Sequence, residues 1–76
     1  MGHKTLNELT DSERAVITAL AQNGLNKAKA AREIHYAYNS IDYIIGRIRF
    51  KTGLNPTDFY DMIKLIELVK EGERID

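Results

Sequence analysis

No cysteine occurs anywhere in the chain, so neither a disulfide framework nor a thiolate metal site can be written for it. Its two histidines, His3 and His35, stand too far apart to form a ligand pair at helical spacing. No apolar run approaches the roughly 20 residues that span a bilayer, and the N-terminus lacks the apolar stretch of a signal peptide. These absences lead to the expectation of a cytoplasmic chain with no membrane partner, no metal and no cofactor. Net charge is missing too, since 11 Lys and Arg balance 11 Asp and Glu. A neutral chain is poorly suited to strong nonspecific binding of nucleic acid. Seventy-six residues make one domain whose core is marginal, so a second protomer is a natural cover for leftover apolar surface. Met1, Gly2 and His3 are given no role.

The charges that are present are unevenly placed. The first third carries Lys4 and Arg14 against Glu8, Asp11 and Glu13. The middle carries Lys27, Lys29, Arg32, Arg47, Arg49 and Lys51 against only Glu33 and Asp42. The last third has more acids than bases. A basic middle between acidic ends suits a groove-binding element on a neutral scaffold, although ordinary scatter of solvated charge gives a similar profile.

Local signals predict four helices, at about 11–23, 27–34, 39–52 and 56–71, between an arm (about 1–9) and a tail (about 72–76). Thr10 with Glu13 three residues on forms a capping box, and Leu9 stands where a hydrophobic staple belongs. Val16, Ile17, Leu20 and Ala21 then recur at helical spacing, and Asn23-Gly24 ends the helix. Asn26 caps a short second helix rich in alanine. The third begins at Tyr38 or Asn39 and carries the stripe Ile41, Ile44, Ile45 and Ile48, closed by Gly53 with Leu54 packing back. Asn55-Pro56-Thr57-Asp58 reads as the start of the fourth, with Asn55 as cap, Pro56 at the first helical position and Asp58 in the first turn. Its expected core stripe is Phe59, Met62, Ile63, Ile66 and Val69, with Leu65 and Leu68 spreading onto a neighbouring face. That excess makes Met62, Leu65, Ile66, Leu68 and Val69 candidates for a homodimer interface, against the alternative of a helix deep in a monomer core.

A short helix containing Ala30-Ala31, a sharp turn and an amphipathic helix make the pattern of a helix-turn-helix. Ala31 falls at the tight crossing, Ile34 inward before the turn, and Ile41 and Ile44 inward on the second helix. His35 occupies the turn site often filled by glycine. The fold expected is therefore all-α: a small orthogonal four-helix bundle around a helix-turn-helix, with the last helix as candidate dimer element. Outward positions are Ala37, Tyr38, Asn39, Asp42, Tyr43 and Gly46. Such helix pairs also occur in bundles that never touch DNA, so binding and purely structural readings both stand.

The run Asn26-Lys27-Ala28-Lys29-Ala30-Ala31-Arg32-Glu33-Ile34-His35 resembles the helix-turn-helix of two bacterial families. One is the Fis-type domain of enhancer-binding activators. The other is the C-terminal DNA-binding domain of PucR-type transcriptional regulators, with the pattern A-A-R-x-L-x-x-H-R-N-T-L-x-Y-R-L-x-R-I followed by T-G-L-D. The chain continues Tyr38-Asn39-Ser40-Ile41-Asp42-Tyr43-Ile44-Ile45-Gly46-Arg47-Ile48 and then Thr52-Gly53-Leu54-Asn55, which favours the PucR-type. The likeness runs from about Leu25 to Val69 and resembles a free-standing form of that domain, as in small proteins of Firmicutes and their phages. It implies sequence-specific binding of double-stranded DNA, commonly as a dimer, by a small bacterial or phage transcriptional regulator.

Base-reading candidates are Tyr38, Asn39, Ser40, Asp42 and Tyr43; phosphate candidates are Lys27, Lys29, Arg32, Arg47, Arg49 and Lys51. The chain departs from the pattern at Tyr38 and Ile44, where the family carries arginine, and at Asp42, which sets a negative charge toward DNA. Tyr36, Tyr43 and Tyr60 have the alternative of being core rings with their hydroxyls at the surface. No nucleophile with a base, paired carboxylates or metal site points to an enzyme. The rival to DNA binding is a protein-interaction module on a helix-turn-helix fold that has lost its arginines.

Overall fold

Thr10 starts the first helix as its capping box requires. In the computed structural model, which describes residues 9–73, its hydroxyl accepts the Glu13 N–H at 3.1 Å. The Glu13 carboxylate in turn accepts the Thr10 N–H at 2.9 Å. Helix α1 runs Asp11–Gln22, followed by α2 at Lys27–Glu33, α3 at Tyr38–Thr52 and α4 at Phe59–Glu73. The described residues form no strand, and none of their helices is long and apolar enough to cross a membrane. Most of the expected arm and the last three residues of the expected tail lie outside the described residues, whereas 72 and 73 belong to α4.

Helix α1 packs against all three other helices, and α2 against α3. With neighbours on several sides, its buried face is wider than one stripe: Glu13, Val16, Ile17, Ala19 and Leu20 are all buried. The face broadens toward Ala19 and leaves Ala21, on the opposite flank and expected inside, in solvent. Leu9 is buried in the core, but no apolar staple partner meets it, because the position four into the helix is Arg14. The Arg14 guanidinium instead donates to the Leu9 carbonyl at 3.0 Å.

Two helix ends use the same device. After α1, Gly24 takes φ +65° and the Leu25 N–H reaches back to the Leu20 carbonyl at 2.8 Å. After α2, His35 takes φ +60°, the Tyr36 N–H reaches the Ala31 carbonyl at 2.8 Å, and the His35 N–H reaches that of Arg32 at 3.2 Å. The second is a full Schellman closure; the first shows its longer bond alone, and Leu25 there is itself left-handed at φ +65°. Glycine adopts that backbone without strain, whereas histidine pays about 1–2 kcal/mol for it. His35→Gly is therefore expected to stabilise the fold by about 0.5–1 kcal/mol, part of the relief being offset by glycine's freedom in the unfolded chain. A raised urea midpoint with unchanged slope would show it.

The fourth helix starts later than its proline suggests. Asn55 uses its side chain on the turn itself, accepting from the Thr57 N–H at 2.9 Å and the Thr57 hydroxyl at 2.8 Å. Its carbonyl accepts the Asp58 N–H at 2.9 Å. Pro56 thus sits buried in a tight turn that its fixed φ favours, not in the first turn of a helix. The cap is Asp58, whose carboxylate accepts the Asp61 N–H at 3.0 Å.

The core unites Val16, Ile17 and Leu20 of α1, Ala30 and Ala31 of α2, Ile41, Ile45 and Ile48 of α3, and Met62, Leu65 and Val69 of α4. Ile34, Ile44, Leu54, Ile66 and Leu68 are half-buried against it. Of the five side chains expected at a dimer face, Met62, Leu65 and Val69 lie inside the protomer's own core, and Ile66 and Leu68 are half-buried beside them. Conversely Phe59 and Ile63, expected inside, are exposed with Tyr60. Apolar residues ring α4 so fully that spacing could not choose which side meets α1.

Candidate functional site

Residues 34–37 join α2 to α3, and Ala31, the small residue expected at their crossing, is buried on α2. Helix α3 begins at Ala37 with no side-chain hydrogen bond on its first amides, whereas Thr10, Asn26 and Asp58 each cap their helices. Its first turn holds no acid. Tyr38, Asn39, Ser40, Asp42 and Tyr43 are all exposed, so the five base-reading candidates share one accessible stretch. Tyr43 and Tyr60 stand out in solvent, which removes both from the core, while Tyr36 is half-buried against it. Gly46 follows Tyr43 by one turn, and a methyl group there would meet nothing within 4 Å.

The six basic candidates separate into two groups. Lys27 Nζ lies 2.8 Å from Asp42 Oδ1 and 5.4 Å from the centre of the Tyr38 ring. The hydrogen bond to Asp42, then that to Tyr38, holds its ammonium above the ordinary 10.5. Lys51 Nζ lies 2.7 Å from Glu13 Oε1, and Arg47 Nε lies 3.2 Å from Glu13 Oε2. Arg47 also lies 6.0 Å from the centre of the Tyr43 ring. Three of the six basic residues expected at phosphates thus make ion pairs within the domain. Among the described residues, Lys29, Arg32 and Arg49 form no ion pair and are exposed.

Glu13 is the residue that sequence reasoning undervalues. Its place in the capping box accounts for it locally, yet only 1% of it is exposed and it gathers two cations from a helix 34 and 38 residues on. Burial alone pushes its carboxyl up. The Lys51 hydrogen bond, the Thr10 N–H and the charges of Lys51 and Arg47 outweigh burial and hold it below the ordinary 4.5. Oε2 accepts no hydrogen bond, because Arg47 approaches it as a charge outside hydrogen-bonding geometry. A signal for this exists in the chain: Glu13 continues the stripe of Val16, Ile17 and Leu20, so an acid lies on an apolar face. Phe50, which no motif singles out, is 91% exposed two turns after Tyr43.

A shallow cleft between the starts of α1 and α3 is lined by Ser12, Glu13, Tyr36, Asn39, Tyr43 and Arg47, among others. No cluster of three or more His, Asp or Glu suited to a metal occurs among the described residues. No protein-family model, curated protein or solved structure matches the chain.

Proposed function

We propose that the chain binds double-stranded DNA through α2 and α3, with the start of α3 against base edges in the major groove, and acts as a transcriptional regulator. One observation carries this reading: among the described helices α3 alone begins without a side-chain cap, and Tyr38, Asn39, Ser40, Asp42 and Tyr43 of its first turns are exposed around the buried Ile41. Uncapped amides at a helix N-terminus suit phosphate oxygens, and a helix fits the major groove. Lys29, Arg32 and Arg49 supply the backbone contacts. The PucR-type pattern supports the same assignment. In a dimer on DNA, the contact between copies falls to the exposed Phe59, Tyr60 and Ile63 of α4.

A second reading rests on Phe50. A phenylalanine this exposed, with Tyr43 on the same side of α3, suits a protein partner, and the pairing of Arg47 and Lys51 with Glu13 lowers the positive charge on offer. Fluorescence anisotropy with mixed duplexes across a salt series separates the two. DNA binding predicts affinity that falls as salt rises. It also predicts a slope that shrinks by about 0.9 for each phosphate ligand that Lys29→Ala, Arg32→Ala or Arg49→Ala removes. No retention at low salt would leave the protein-partner reading in its place.

A further inference from the structure

We infer that the α3 face reads A·T base pairs rather than G·C pairs, through Asn39 and through contact with thymine methyl groups; this rests on the DNA-binding reading above. Guanine is read in the major groove chiefly by Arg or Lys, which donate to its O6 and N7. The structure holds three of the six cations of α2 and α3 in ion pairs, and Lys29 and Arg32, on α2, serve the backbone contacts assigned above. Lys27 is held by Asp42 and set against Tyr38. Arg47 and Lys51 are held by the buried Glu13. Arg49 is unpaired but lies 11 residues beyond Tyr38, about 16 Å along the helix axis, while the groove is about 12 Å wide. Base contacts come mainly from the first residues of such a helix.

Cytosine fares no better. Its exocyclic amine is read by an acid, and the acid on this face, Asp42, already accepts from Lys27 at 2.8 Å. What remains open is Asn39, Ser40, Tyr43 and the bare backbone of Gly46. The Asn39 amide offers the donor and acceptor that match adenine N6 and N7. The Tyr43 ring is 67% exposed, and its apolar surface suits the methyl that marks thymine in the groove. Gly46, one turn on, leaves space for that methyl's neighbour to come close. Ser40 pairs with any base and does not discriminate.

The test is selection of bound duplexes from a randomised pool, followed by anisotropy on the selected site. Enriched sequences are expected to carry A·T pairs at the positions facing α3. Exchanging the contacted thymine for deoxyuridine, which removes only the methyl, is expected to weaken binding about fourfold. Asn39→Ala is expected to erase discrimination of roughly 5- to 150-fold at one adenine. Because Asn39 is exposed and outside the core, that variant keeps the fold, and the deoxyuridine exchange leaves the protein untouched. Selected sites anchored on G·C pairs, or equal affinity for thymine and deoxyuridine duplexes with unchanged selection by Asn39→Ala, would overturn the inference while DNA binding stands. No retention of any duplex at low salt would overturn both.

Discussion

Glu13→Ala is expected to destabilise the domain by roughly 2–3 kcal/mol, lowering the melting temperature by about 8–24 °C. Two losses combine. The Thr10 N–H forfeits the carboxylate it donates to, which for one partly buried bond is worth about 1 kcal/mol. Arg47 and Lys51 lose their shared anion. Their side chains are 45% and 24% exposed, so water can receive both charges. The loss therefore stays near 1–2 kcal/mol, below the roughly 3–5 that follows when a fully buried pair is broken. Glu13→Gln keeps the acceptor for Thr10 and the volume, and is expected to lose about half as much.

Acidity separates the two variants from the parent chain. The folded Glu13 carboxyl titrates below its ordinary 4.5, so its stabilisation is complete above that value and is lost as pH falls through the folded one. Thermal unfolding followed by circular dichroism from pH 7 downward is expected to show this loss in the parent and a shallower one in Glu13→Gln. Identical acid profiles would mean that another carboxylate governs the acid limb.

The second large effect belongs to Leu65. It is wholly buried, so Leu65→Ala is expected to cost about 2–5 kcal/mol through lost transfer energy and the cavity left behind. Ile63→Ala, at a side chain 46% exposed, is expected to cost about 1 kcal/mol or less. Leu65 faces its own protomer's core, so its loss should be the same at low and high protein concentration. A residue at an interface between copies would instead show a deficit that is absent when the chain is dilute and grows as concentration rises. A concentration-dependent deficit at Leu65 would restore it to a dimer face.

What the chain announces, it announces locally. Thr10 with Glu13, Asn26, Gly24 and Gly53 each act within a few residues of themselves, and each performs as its type and place require. The α3 stripe is equally legible, because Ile41, Ile45 and Ile48 recur at helical spacing along one side of the helix. Two kinds of information stay hidden. The phase of α4 depends on which side meets α1, and a helix with apolar residues around most of its girth carries no such mark. Asn55-Pro56 fits a cap as well as a turn, and only the Thr57 and Asp58 bonds decide between them. The fate of the basic candidates depends on contacts far apart in sequence. Arg47 and Lys51 look like phosphate ligands until Glu13 is seen buried beside them, and Lys27 does so until Asp42 is placed on the next helix. Of the candidate site, the exposed start of α3 is legible in advance; the division of its cations is not.

The contact between the first and last helices has a consequence for how the protein is made. Helix α1 is translated before α2 and α3, yet the side chains that cover it from α4, Met62, Leu65 and Val69 among the core, follow only after both. At ordinary synthesis rates of about 5–20 residues per second, α1 waits several seconds with an apolar flank uncovered. A nascent chain stalled before α4 should therefore be the form that a holding chaperone captures, and release of α4 the step that sets it free.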